Sequence, residues 1–202
     1  MLTLYSSQLS GNCYKVRLLL TQLGIPFRVV EIDVVKGEQH TPEYRAKNPN
    51  ARVPMVELEN GELLPESGAI LYYFARHTPL WPLDPLLQAR VLQWMFFEQY
   101  SHEPYIAVAR FWVLYLKAEE KYREQLIEKH KGGNRALAVM EGHLRDRRYF
   151  VGERYSIADI ALYAYTHVAP DGGFSLEPYP AVGAWLKRVE EQPRHIPIAH
   201  PC

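Results

Sequence analysis

The sequence predicts a two-part fold, in which a mixed α/β domain precedes an all-helical domain. In the first eighty residues, short strand-like runs alternate with helical runs in the order βαβαββα, which indicates a parallel βαβ unit beside an antiparallel hairpin. Strand signals are scarce after that point. Three prolines in residues 77–85 mark a linker between the halves. We therefore predict an α/β domain at residues 1–77, a linker at 78–85 and a helical domain at 86–202.

The first βαβ unit follows from local patterns. Residues 14–23 carry apolar side chains at helical spacing, and Gly24 and Pro26 end that run. Residues 2–5 and 27–33 are rich in apolar and β-branched side chains, which is typical of strands.

Turn and capping residues predict the rest of the α/β domain. Thr41 is a plausible N-cap, with Pro42 in the first turn of a short helix. Asn60 and Gly61 form the strongest short hairpin signal in the chain. The two hairpin strands and a closing helix are predicted at residues 55–58, 62–64 and 67–76.

The second half shows helical periodicity. We expect a long helix at residues 86–117, bent at Pro104, and a second at 119–148, interrupted at Gly132 and Gly133. Ser156 precedes an apolar run and has Asp159 three positions later, which predicts a structural helix cap. Residues 180–192 form the last amphipathic helix.

Composition limits the classes of function. Lys plus Arg and Asp plus Glu both number 23, so nothing in the charge favours nucleic acid or an anionic membrane. No apolar run reaches the length of a membrane span, and the start lacks the pattern of a secretory signal. Cys13 and Cys202 provide no disulfide framework, and the eight histidines show no metal-ligand spacing. We expect a cytoplasmic protein without a bound metal.

Two short motifs predict a peptide-binding groove. Val53-Pro54 precedes a strand, where a proline removes a backbone donor and permits a cis peptide that turns neighbouring backbone groups outward. Glu66 and Ser67 begin a helix, whose free N–H groups and positive dipole end can take a carboxylate. The groove would therefore suit a small acidic peptide.

An ordered set of motifs along the whole chain resembles the cytosolic glutathione transferases, in particular bacterial members of the serine type (theta-like or zeta-like). The matching segments are residues 10–17, 37–43, 52–54, 66–70 and 156–159. The resemblance implies a thioredoxin-like N-terminal domain, an all-helical C-terminal domain and a homodimer. It also implies a glutathione transferase with a role in detoxification, whose partners are glutathione and a small hydrophobic electrophile.

The resemblance assigns each part of glutathione to residues of this chain. The backbone of Val53, with Pro54 as the cis residue, would pair with the cysteinyl part. Glu66 would bind the γ-glutamyl ammonium, and Ser67 with the helix amides would bind its carboxylate. The glycyl carboxylate would lie near Gln39, His40 and Arg52.

The chemistry requires a thiolate near neutral pH, although a free thiol titrates at about 8.5. The resemblance places the hydroxyl of Ser10 beside the sulfur. The side-chain amide of Asn12 could serve the same sulfur, as in some bacterial relatives, and both roles stay open. Cys13 is interpreted as a buried structural residue, because relatives with a catalytic cysteine carry it at the position of Ser10 and no Cys-x-x-Cys pair is present.

The family's electrophile pocket corresponds here to an aromatic segment of the helical domain. Candidates for its wall are Tyr105, Phe111, Trp112, Tyr115 and His167, although aromatic residues at helical spacing are usually core.

Three alternatives remain beside conjugation. They are glutathione-dependent disulfide reduction, isomerisation of a small unsaturated diacid, and non-catalytic glutathione binding or regulation. The isomerase branch carries a Ser-Ser-Cys signature, from which this chain departs at Gly11 and Asn12.

Overall fold

A computed structural model describes residues 1–201 of the chain; Cys202, one of the two cysteines considered above, lies outside them. The chain forms two compact units. The first consists of Met1–Thr78 together with residues 193–201, and the second is Pro79–Gln192. The predicted domain boundaries at 77 and 86 stay a prediction.

The first unit is built on a four-stranded mixed sheet. Its strands are β1 (Leu2–Ser6), β2 (Phe27–Glu31), β3 (Met55–Glu57) and β4 (Leu63–Pro65), in the order β2-β1-β3-β4. β1 pairs in parallel with β2, whereas β3 is antiparallel to both β1 and β4. Pro65, which lacks a backbone donor, ends the edge strand β4, where that loss costs least. The predicted βαβ unit and hairpin are confirmed.

Three helices complete this thioredoxin-like unit: α1 (Gly11–Leu23), α2 (Pro42–Lys47) and α3 (Ser67–Ala75). One apolar cluster joins β1, α1, β3 and α3 through Leu4, Val16, Val56 and Ile70, none of which has exposed surface. A second cluster places Tyr44 of α2 against Tyr5 and Met55. Helix α1 begins three residues earlier than predicted, because Ser10 caps a polar first turn that the apolar pattern does not show.

The second unit is all helical in its main elements. Its helices are α4 (Pro85–Phe97), α5 (Glu103–Arg110), α6 (Arg123–Leu144), α7 (Ile157–Thr166) and α8 (Pro180–Glu190). A π turn at Glu98–His102 joins α4 to α5, and a second at Phe111–Tyr115 follows α5. Pro104, where a bend was predicted, comes just after the first π turn, in the first turn of α5, where its missing backbone donor is tolerated.

The predicted interruption at Gly132 and Gly133 was wrong, because α6 runs through both without a break. A Cβ on Gly132 would lie 2.2 Å from the ring of Tyr105, and one on Gly133 would lie 2.3 Å from the ring of Phe174. The glycines therefore allow aromatic side chains to approach the helix backbone. This packing outweighs their poor helix propensity of about 1 kcal/mol each.

The cap predicted at Ser156 is present as a complete capping box with Asp159 at the start of α7. Asp159 is fully buried and also accepts hydrogen bonds from the backbone of Phe150 (3.2 Å) and the indole of Trp185 (3.0 Å). The role of this carboxylate is thus structural. Within residues 1–201, no helix is long and apolar enough to cross a membrane.

Candidate functional site

Ser10 lies at the start of α1 in extended conformation (φ −71°, ψ 124°) and caps the helix. Its Oγ accepts a hydrogen bond from the backbone nitrogen of Cys13 at 3.4 Å, and its own nitrogen donates to Ser7 O at 3.0 Å. The side chain is half-buried. Because a hydroxyl carries one hydrogen beside its acceptor lone pairs, an oxygen that caps a helix can still donate.

Cys13 is fully buried in α1, in agreement with its interpretation as a structural residue. Its sulfur accepts a hydrogen bond from the backbone nitrogen of Ser7 at 3.2 Å. Burial raises the pKa of the Cys13 thiol, although hydrogen bonds from Ser7 and Ser10 act in the opposite direction. A neutral, inaccessible thiol does not suit nucleophilic chemistry.

Asn12 links the starts of two helices. Its Oδ1 accepts a hydrogen bond from Ser67 Oγ of α3 at 3.5 Å and another from Lys15 Nζ at 2.7 Å. Lys15 is almost entirely buried, at 1% exposure. Sequence reasoning missed Lys15, although a residue three positions after Asn12 on a helix falls on the same face.

The start of α3 has the features of an anion site. Glu66, the residue before the helix, makes no side-chain hydrogen bond to the first-turn amides. Ser67 is buried at the first helical position, whereas Glu66 is exposed. Amides and a hydroxyl at the positive end of a helix favour a carboxylate ligand.

Glu66 itself has a left-handed backbone (φ 73°, ψ 112°), which is unusual for a residue with a Cβ. Its Oε1 accepts a hydrogen bond from Asn50 Nδ2 at 3.3 Å. Asn50 was not among the predicted site residues, because it lies in a polar loop without periodicity. Strained backbone of this kind tends to occur at ligand sites. The exposed carboxylate could pair with a cationic group beside the α3 amides.

The Val53-Pro54 peptide bond is cis. The carbonyl of Arg52, just before it, accepts hydrogen bonds from Tyr44 Oη at 2.7 Å and Asn48 Nδ2 at 2.9 Å. Burial raises the pKa of Tyr44 to about 12, so the phenol keeps its proton and donates. Two side chains thus fix the loop that leads to Val53, while the Arg52 side chain is exposed.

Of the residues predicted to bind the glycyl carboxylate, Gln39 bonds to its own loop, whereas His40 is exposed to solvent. The amide of Gln39 turns toward its own loop, where Nε2 donates to Val34 O at 3.4 Å and Oε1 is buried. His40 is exposed, and its Nδ1 lies 3.3 Å from a guanidinium nitrogen of Arg45. The structure therefore presents His40 and Arg45 to solvent as a polar pair, and Arg45 was not among the predicted residues.

The aromatic candidates of the helical unit fall into separate groups. Tyr105 and Trp112 share one cation, because Lys129 Nζ lies 5.5 and 5.8 Å from their ring centroids. Trp112 also stacks on Tyr122, with ring centroids 4.3 Å apart.

The remaining three candidates contact other partners. Phe111 packs against Tyr115, whose ring lies beneath the guanidinium of Arg110. His167 stacks on Tyr163 and hydrogen-bonds to its carbonyl at 2.7 Å. All five side chains are partly exposed, so none of them is fully buried in the core.

Comparisons with known proteins agree on the family. The model of the glutathione S-transferase N-terminal domain matches residues 4–82, and that of the C-terminal domain matches residues 105–193. The chain is similar to the glutathione S-transferase-like protein tpcF of Aspergillus fumigatus, at 32% identity over 90% of this chain and 88% of that protein.

Two solved structures extend the likeness. A glutathione S-transferase from Pseudomonas fluorescens is 51% identical, with a TM-score of 0.97 over 98% of this chain and 99% of that one. Ure2p, solved in complex with glutathione, is 28% identical, with a TM-score of 0.85 over 96% of this chain and 95% of that one.

A thioredoxin-like unit with a cis-proline, followed by a helical unit, is the architecture of the cytosolic glutathione transferases. The chain belongs to the glutathione S-transferase family. Within residues 1–201, no group of three or more His, Cys, Asp and Glu side chains could hold a metal ion.

Proposed function

We propose that this protein is an enzyme that binds glutathione, stabilises its thiolate and adds the sulfur to hydrophobic electrophiles. The observation that carries the proposal is the 3.5 Å hydrogen bond from Ser67 Oγ to Asn12 Oδ1. It brings the start of α1, with the thiol-activating candidates, next to the start of α3, with the carboxylate site. One extended tripeptide can therefore reach both.

The binding groups match a zwitterionic peptide at three points. The first-turn amides of α3 and the Ser67 hydroxyl bind the γ-glutamyl carboxylate, while Glu66 binds the ammonium. The backbone of Val53, before the cis Pro54, pairs with the cysteinyl residue. Gln39 and His40 bind the glycyl carboxylate, with the exposed Arg52 as a further candidate.

The chemical step begins with loss of the thiol proton to solvent. Lowering the thiol pKa by two units requires roughly 2.7 kcal/mol of preferential stabilisation of the anion. A donor from Ser10 or Asn12, together with the amide dipoles at the start of α1, can supply that amount. The thiolate sulfur then forms a bond to the electrophilic carbon, and a leaving group such as halide departs with its electron pair.

The helical region, proposed as residues 86–202, supplies the electrophile contacts. Partly exposed aromatic side chains suit apolar or aromatic electrophiles. The wall is proposed to consist of Tyr105, Phe111, Trp112, Tyr115 and His167. Conjugation of this kind would serve detoxification in the cytoplasm, by a homodimer, as in the family that the chain resembles.

Glutathione-dependent disulfide reduction is the second candidate function. It would use the same bound thiolate, because the buried Cys13 cannot exchange with a bulky disulfide. Isomerisation of a small diacid and binding without turnover remain as further alternatives, and both also need the groups at Val53, Glu66 and Ser67.

A panel on the purified protein tests the proposal. We expect glutathione to raise the melting temperature, the complex to show thiolate absorbance near neutral pH, and an aryl halide to be conjugated faster than a hydroxyethyl disulfide is reduced. Binding without either activity would favour the non-catalytic alternative. Absence of binding at millimolar glutathione would overturn the proposed function altogether. Sedimentation at several concentrations tests the homodimer.

A further inference from the structure

Lys15 is a buried cation that the proposed mechanism does not yet use. It lies in α1 with 1% of its surface exposed. Its Nζ is 2.7 Å from Asn12 Oδ1, which is a short distance typical of a charge-assisted hydrogen bond. Because an ammonium group loses much of its hydration on burial, a buried lysine requires acceptors inside the protein, and Asn12 Oδ1 is one of them.

The contact fixes which way the Asn12 amide points. An ammonium donates hydrogen bonds but cannot accept them, so the atom of Asn12 that faces Lys15 must be the oxygen. Ser67 Oγ also donates to that oxygen, at 3.5 Å, but its single hydrogen turns to the γ-glutamyl carboxylate in the proposed complex, so Lys15 keeps the amide in place there. Since the amide group is planar, its NH₂ then lies on the side away from Lys15 and Ser67.

We propose that Lys15 is a positioning residue, which holds the Asn12 amide so that its NH₂ rather than its oxygen is presented to the glutathione sulfur. The inference rests on the proposed function and deepens it. With the opposite orientation, the amide oxygen would face the sulfur and repel a thiolate. Donors on the oxygen also polarise the amide, which strengthens its N–H groups as donors. Lys15 thereby selects Asn12 as a thiolate stabiliser without touching the ligand.

A charge could instead act on the sulfur directly through space, and the two modes differ in a double-mutant cycle. Lys15→Met removes the donor and the charge. If Lys15 acts through Asn12, its replacement should raise the pKa of the bound thiol by about one unit, a tenfold loss of thiolate below that pKa. In an Asn12→Ala background, the same replacement should cause no further rise. Direct action would produce the same rise in both backgrounds, which would overturn the positioning role.

Lys15→Gln provides the second variant, because an amide keeps a donor but carries no charge. We expect it to retain part of the effect, whereas direct charge action predicts the full loss. Arg110→Met is the control: Arg110 is another buried cation, held by Asp171 at 3.0 Å in the helical unit. It should lower the melting temperature without moving the thiol pKa.

The measurement is a titration of thiolate absorbance in the glutathione complex, together with the pH profile of kcat/KM and the melting temperature of each variant. An unchanged thiol pKa in folded Lys15→Met would refute the role of Lys15, provided the wild type shows a lowered pKa. A wild type without thiolate near neutral pH would instead refute the proposed function. The two failures are therefore distinguishable.

Discussion

Ser10 Oγ accepts a hydrogen bond from the backbone nitrogen of Cys13 at 3.4 Å, so the hydroxyl proposed to serve the glutathione sulfur also caps α1. The two roles use different parts of the hydroxyl, because capping needs a lone pair and thiolate stabilisation needs the hydrogen. Substitutions that separate the roles are therefore available.

Ser10→Ala and Ser10→Gly should differ in stability but agree in activity. Alanine caps poorly, so its substitution should cost about 0.5–2 kcal/mol in free energy of unfolding, whereas glycine should cost only a few tenths. Both remove the hydroxyl, and both should lower kcat/KM by a similar factor if Ser10 donates to the sulfur. Chemical denaturation and steady-state conjugation assays measure the two effects. Wild-type activity in Ser10→Gly would show that Ser10 is a cap alone.

Asn12→Ala tests the other candidate donor. Removal of one donor to a developing or stable anion can reduce turnover roughly 10²-fold, and we expect a loss of that order if the amide serves the sulfur. The pKa of the bound thiol should rise, so the activity lost at neutral pH should be partly recovered at high pH. Steady-state assays across the pH range check this. If kcat/KM falls only for Asn12→Ala and not for the Ser10 variants, the proposed role of Ser10 is wrong.

Ser67→Ala and Glu66→Gln should weaken glutathione binding more than they slow the chemical step. Each removes a charge-assisted interaction with the γ-glutamyl end, worth about 1.5–3 kcal/mol. We expect KM for glutathione to rise roughly tenfold or more, with kcat changed much less for Glu66→Gln. Glu62→Gln, an exposed carboxylate near the same hairpin, is the matched control and should leave KM unchanged. Equal KM values for Glu66→Gln and Glu62→Gln would exclude the ammonium contact.

The parts of this molecule that the sequence predicts well are those with a local cause. The hairpin at Asn60-Gly61, the caps at Thr41 and Ser156, and the strand that follows Pro54 all depend on conformational preferences of adjacent residues. The same is true of the helix start at Ser67, which the apolar run that follows predicts.

The features that escaped prediction depend on distant contacts. Glycine has a poor helix propensity, yet Gly132 lies inside α6. The ring of Tyr105, which is remote in sequence, leaves no room there for a Cβ. The π turns shift the helical register by one residue, which the apolar spacing does not reveal. Lys15 and Asn50 are polar residues whose burial or direction is set by neighbours in space rather than along the chain.

Asp159 should make the stability of the helical unit pH-dependent. Burial raises its pKa from 3.8 to about 6, although four hydrogen bonds from Ser156, Phe150 and Trp185 act in the opposite direction. The folded protein then holds this proton more tightly than the unfolded chain. The contribution of Asp159 to stability is therefore greatest below about pH 4 and falls as the pH rises to about 6, by roughly 3 kcal/mol.

Asp159→Asn isolates that contribution, because the asparagine side chain does not titrate. The contributions of all other titrating groups cancel in the difference between the unfolding free energies of wild type and variant. The variant should be less stable throughout, since two carboxylate oxygens accept four bonds that one amide oxygen cannot all replace. Denaturation at several pH values should show the gap between wild type and variant narrowing from pH 4 to 7. A gap that widens over this range would mean that the four donors outweigh burial and hold the pKa below its usual value.

Gly132→Ala should destabilise the helical unit, although alanine is the better helix former. Its Cβ would lie 2.2 Å from two ring carbons of Tyr105, so either the ring or α6 must move, at a cost of about 1–3 kcal/mol. Gly142→Ala, in the same helix, meets nothing within 4 Å and should instead stabilise by up to about 1 kcal/mol. Chemical denaturation of both variants shows whether the changes in unfolding free energy have opposite signs.

Because Tyr105 is a proposed wall of the electrophile site, Gly132→Ala should also raise KM for the electrophile while leaving KM for glutathione unchanged. Equal stabilisation by Gly132→Ala and Gly142→Ala would show that the Tyr105 ring does not pack against Gly132.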